Sequence, residues 1–146
     1  MRPPAFRLDP DTYRSWVDVA TRESDVDGQG HVNSLWLGFF FREAWTKLQK
    51  EIADGAGRSA GKRRFLVVHI GFDYVTEVLH PSIVQVGAGV QEVGRSSLSI
   101  GCGLFHGGVA AAVADYTVVF ADGDGPVPLS DDERVRAHEL RVRGGP

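Results

Sequence analysis

At 146 residues, 42% hydrophobic and 24% charged, the chain is sized for one domain with a sizeable core. Its formal charge of −3 carries no footprint for nucleic acid, and Cys102, the single cysteine, excludes an intrachain disulfide and any metal centre built on several thiolates. No apolar stretch has the length of a signal-peptide core at the start or of a membrane span anywhere, so the expectation is a soluble, cytoplasmic protein with no membrane partner.

In chain order, residues 1–11 are rich in proline and charge and read as a loose lead-in. Tyr13 to Glu23 alternates, with Trp16, Asp18, Ala20 and Arg22 on one side and Val17, Val19 and Thr21 on the other, which predicts a strand of mixed polarity. A polar loop over 24–33 breaks it, and Asn33 is a good N-cap for the segment after it. From Ser34 to about Ile52 the period is helical. The first half, with Trp36, Phe39, Phe40 and Phe41, has no polar face, which predicts a helix buried on nearly every side by a sheet curled around it. The second half sets Ala44, Trp45, Leu48 and Ile52 against Arg42, Glu43, Lys47 and Lys50. A flexible loop is expected over 54–61, with a basic exit at Lys62, Arg63 and Arg64.

The remainder is strand-like: 64–80, 83–93, 97–105 and 109–121, with glycine turns at Gly94-Arg95 and His106-Gly107-Gly108. Sequential strands joined by short turns predict an antiparallel meander. Gly87, Gly89, Gly101 and Gly103 inside the strands suit a curved sheet or a close backbone approach. Ser130-Asp131-Asp132-Glu133 is a capping box that opens a short helix to about Leu140. The order of elements gives an α+β class, one domain over 1–146 with its core at about 13–122 and no repeat or linker.

The chemistry concentrates in Ser24-Asp25-Val26-Asp27-Gly28-Gln29-Gly30-His31-Val32-Asn33-Ser34. A helix entered directly from such a loop turns its first N–H groups back toward it, so an acid and an anion-stabilising dipole lie side by side. Asp27 also suits an Asx turn over Gly28–Gly30, His31 a half-buried loop histidine and Asn33 a helix cap. Glu43 suits an i,i+4 pair with Lys47, and His69 suits packing inside its apolar strand.

The segment from Asp25 to Asn33 resembles the Asp-x-Asp-x-x-Gly-His-Val-Asn loop of the 4-hydroxybenzoyl-CoA thioesterase group of hotdog-fold proteins. It is also similar to plant acyl-carrier-protein thioesterases, in which Asp, Asn and His recur at the spacing of Asp27, Gln29 and His31; Gln29 is one methylene longer than the Asn. The likeness spans roughly residues 14–122 and includes Phe72-Asp73-Tyr74 and Val93-Gly94-Arg95-Ser96-Ser97. It implies the hotdog fold, a long helix wrapped by a five-stranded antiparallel sheet. It also implies homodimers joined edge to edge, pairing into homotetramers, with active sites between subunits.

The same resemblance implies an acyl-CoA thioesterase acting on the thioester of an acyl-CoA or acyl-carrier protein. Asp27 falls at the catalytic aspartate, as nucleophile or general base, and Asp25 at a loop-shaping acid. The backbone N–H of Ser34 falls at the oxyanion donor, with His31 orienting substrate or water. Gln29 and Asn33 fall beside the substrate, and Arg95, Ser96 and Ser97 near the nucleotide end of CoA, where Arg binds phosphate. No metal and no separate cofactor are implied. Glu43 is the rival acid, because another hotdog branch uses a carboxylate from the helix. The alternatives are a non-catalytic acyl-CoA-binding protein and an enoyl-CoA hydratase. Against the hydratase, Asp27 and His31 are four positions apart where that branch has five, with no Asn-Pro between them.

Overall fold

The computed structural model describes residues 2–55 and 64–145. Five long strands, β1 (Ser15–Ala20), β2 (Arg64–Tyr74), β3 (Ile83–Val93), β4 (Ser97–His106) and β5 (Val109–Asp122), form one antiparallel sheet in the order β1-β3-β4-β5-β2. A two-residue strand, β6 (Gly125–Pro126), hairpins onto β5. One long helix, α1 (Ser34–Gly55), packs against the sheet, and α2 (Asp131–Glu139) comes after the last strand. The loop expected over 54–61 and the basic Lys62 and Arg63 fall, from residue 56 on, outside the described residues.

Alternation builds the core. Val84, Val86, Ala88 and Val90 on β3, Leu98, Ile100, Cys102 and Leu104 on β4, and Tyr116, Val118 and Phe120 on β5 turn one face inward. They meet a helical stripe of Leu37, Phe41, Ala44, Leu48 and Ile52. The Ser130 capping box is formed, with Ser130 Oγ accepting the Glu133 N–H and Glu133 reaching back to the Ser130 N–H.

Three expectations are corrected by tertiary contacts. The N-terminal lead-in is two short 3₁₀ turns laid on the outer face of the sheet, where Arg7, 5% exposed, bonds Asp115, Tyr13 and the carbonyls of Cys102 and Ala114. This is the close approach that the strand glycines permit: a Cβ on Gly103 would stand 2.5 Å from the Tyr13 ring, and one on Gly89 2.7 Å from Val142. The start of α1 is not wrapped all round, because one chain's sheet covers only one side and leaves Leu35 78% and Phe39 54% exposed. His69 is exposed, since a register shift between Val67 and His69 turns Ile70, Phe72 and Tyr74 toward the helix instead.

Candidate active site

Between β1 and α1 the chain makes a short turn at Glu23–Asp25 and then a tight hairpin in which Val26 bridges Val32. Asp25 is buried and takes two bonds from Arg22, Nε to Oδ2 at 3.0 Å and Nη2 to Oδ1 at 2.9 Å, while its carbonyl accepts the Asn33 N–H at 2.8 Å. Both its charge and its backbone serve the loop. Asp27 differs. Its Oδ1 accepts the N–H groups of Gln29 at 2.8 Å and His31 at 3.2 Å, so the Asx turn is present. Oδ2 has no partner among the described residues, and the side chain is exposed. Gly30, with φ of 81°, supplies the left-handed residue that the turn requires.

The helix start comes next. Asn33 Oδ1 accepts the Leu35 N–H at 3.0 Å, and the Asn33 carbonyl accepts the Trp36 N–H at 2.9 Å. Of the amides of this first turn, the Ser34 N–H is left without an acceptor among the described residues. The Tyr74 hydroxyl donates to the Ser34 carbonyl at 3.1 Å.

The segment after β2 closes the other wall. The Val32 N–H donates to the Val78 carbonyl at 2.8 Å, and His31 bridges Leu79, which brings Glu77 beside His31. His31 Nε2 lies 2.9 Å from Glu77 Oε2, with side chains 30% and 55% exposed. Asp27, His31, Ser34, Leu37, Tyr74 and Glu77 thus line one cleft of about 300 Å³. Sequence reasoning does not single out Glu77 or Tyr74 as a site residue. The one local signal for Glu77 is a carboxylate in the connection between two apolar strands.

The remaining site residues divide. Gln29 is exposed and serves the cleft through its backbone N–H, and the Asn33 side chain is committed to the cap. Arg95, Ser96 and Ser97 are not brought to the cleft within one chain. The Ser96 carbonyl accepts the Phe120 N–H at the end of the sheet where Phe120 pairs with Phe65, and the length of β3, roughly 33 Å, separates that end from the loop. Arg134 holds the hairpin through the Gly94 and Arg95 carbonyls, leaving the Arg95 side chain exposed. Glu43 lines a different groove with Val17 and Asp18, and Lys47 pairs with Glu51 rather than with it. Cys102 is fully buried, and burial pushes its thiol well up, out of any nucleophilic role.

A second, largely apolar cavity of about 210 Å³ lies between α1 and β2, walled by Leu35, Gly38, Phe39, Arg42, Trp45, Ile70, Phe72 and Tyr116. Phe72 lines this cavity and Tyr74 the cleft, with their rings 6.2 Å apart. Burial raises the Tyr116 phenol well above the ordinary tyrosine range, so its hydroxyl stays neutral, and Arg42 is the charged group of the lining. Among the described residues, no group of three or more His, Cys, Asp or Glu is placed to hold a metal, and no helix is long and apolar enough to cross a membrane.

No protein-family model and no curated protein matches the sequence. Solved structures do. A protein from Pseudomonas aeruginosa strain PAO1 superposes with a TM-score of 0.80 at 26% identity, over 94% of this chain and 99% of that one. A predicted thioesterase from Bacillus stearothermophilus gives 0.80 at 26% identity over 90% and 98%. A thioesterase from Thermus thermophilus, complexed with coenzyme A and zinc, gives 0.74 at 26% identity over 93% and 98%. With one long helix on a curled antiparallel sheet and neighbours that match it end to end, this chain belongs to the hotdog-fold thioesterase superfamily.

Proposed function

We propose that the protein hydrolyses the thioester of an acyl-CoA. What carries this is the pairing in one cleft of a carboxylate with a free oxygen, Asp27, and a free helix-end amide, Ser34. The thioester carbonyl oxygen points at the Ser34 N–H, where the helix dipole stabilises the growing oxyanion; one such donor is worth about 10²–10³ in rate. Asp27 Oδ2 either attacks the carbonyl carbon, giving an anhydride that water then opens, or takes a proton from the attacking water. The tetrahedral intermediate collapses by breaking the C–S bond. The leaving thiolate takes up the proton that the water gave up, with His31, held by Glu77, beside it.

The acyl group lies in the apolar cavity beyond Phe72 and Tyr74. At about 210 Å³ this space exceeds the roughly 150 Å³ that holds benzene, which leaves room for a short or ring-sized acyl group.

The active unit is a homodimer. β2 is an eleven-residue edge strand with Leu66, Val68, Ile70, Phe72 and Tyr74 substantially exposed, beside the uncovered Leu35 and Phe39. A long apolar edge of this kind pairs with another strand. Antiparallel pairing of two β2 strands about a two-fold axis sets the Arg64 end of one against the Tyr74 end of the other. It thereby carries the Arg95–Ser97 hairpin of a second copy to the cleft, where Arg95 meets the phosphates of CoA.

Free-thiol release from a panel of acyl-CoAs tests the proposal. Turnover of short and medium acyl groups supports it. Saturable acyl-CoA binding with no thiol released refutes it.

A further inference from the structure

We propose that Tyr74 is a positioning residue that holds the Ser34–Leu35 peptide and through it aims the adjoining Ser34 N–H as oxyanion donor, an inference that rests on the thioesterase proposal above. The Ser34–Leu35 peptide is fixed at both ends: its oxygen accepts from the Tyr74 hydroxyl at 3.1 Å, and its N–H donates to Asn33 Oδ1 at 3.0 Å. The preceding peptide is held by its oxygen alone, which accepts from Trp36 at 2.9 Å, so its hydrogen, the Ser34 N–H, is the one left to the cleft.

Two of these three bonds come from Asn33 itself, next door in sequence. Only the Tyr74 bond reaches the turn from the sheet. Helix ends fray, and a cap made by the adjacent residue moves with the end it caps. A phenol anchored in β2 does not, because β2 is paired along its length with β5, Tyr74 standing opposite Ala112. Tyr74 also lines the cleft, so its hydroxyl is within the site it braces. An oxyanion donor works only when it is aimed before the charge develops, and small displacements there cost rate rather than binding.

Tyr74→Phe removes the hydroxyl and nothing else. The expected result is a fall in kcat of about tenfold with KM for the acyl-CoA within about twofold and an unchanged melting temperature. The Ser34 amide cross-peak in a ¹H–¹⁵N spectrum moves, while those of the second half of α1 stay. Unchanged kcat, an unmoved Ser34 cross-peak, or a loss carried by KM or by a lowered melting temperature overturns the assignment. A wild-type protein that releases no thiol from any acyl-CoA overturns the thioesterase proposal instead; the Ser34 cross-peak then still decides whether Tyr74 holds that amide.

Discussion

Replacing Glu77 by Gln keeps the size and the hydrogen-bonding oxygen of the side chain and removes its charge from His31. The 2.9 Å contact joins side chains 30% and 55% exposed in the isolated chain. Left in solvent, such a pair is worth about 0.2–1 kcal/mol, so losing it slows turnover by about 1.5- to 5-fold. If a second subunit closes over β2 and dries the cleft, the same bond rises to about 1.5–3 kcal/mol, or about 10- to 150-fold. The exposed Leu35 and Phe39 and the open β2 edge favour closure, so kcat of Glu77→Gln, read by free-thiol release, should fall by at least about tenfold. The loss should vanish in a His31→Gln background, as coupled residues require. A loss below about fivefold, or one of equal size in both backgrounds, refutes the role given to the pair and to the closed cleft.

Three further outcomes rest on the same geometry. Val68→Glu places a charge on the proposed subunit seam, on the side of β2 away from the apolar cavity, and should yield monomers by light scattering, with turnover lost along with the dimer. Trp45→Ala opens the far end of the apolar cavity, and the longest acyl group efficiently hydrolysed should lengthen by several carbons in a chain-length series. Arg95→Ala should raise KM for acyl-CoA by about three- to tenfold and leave KM for the matching acyl-pantetheine unchanged, since the latter lacks the nucleotide phosphates.

What the sequence made legible was local. Asn33 and the apolar period after it define α1 because a cap and a helical stripe are written within a few residues, and the same holds for the Ser130 capping box. The Asp27 loop is legible for the same reason: its turn is closed by bonds two and four residues apart. What failed depended on distant partners. Arg7 reads as part of a loose end until Asp115, 108 positions later, pairs with it. Glu77 joins the site only because residues 78 and 79 pair with 31 and 32 across the whole of α1 and β2. The β2 register shift, which turns His69 out and Tyr74 in, has no mark in the continuous apolar run from Phe65 to Val68 that leads into it. The apolar start of α1 told truly that those residues need cover, but periodicity does not say which polypeptide supplies it.

The most direct measurement is turnover by Asp27→Asn. An Asn at position 27 keeps a carbonyl oxygen for the Gln29 and His31 N–H groups, so the loop holds its shape while the reactive carboxylate oxygen is lost. The account predicts kcat for acyl-CoA hydrolysis lowered by about 10²–10⁴ with melting temperature and CoA binding unchanged. Turnover within about threefold of the wild type, in a folded Asp27→Asn protein, contradicts it.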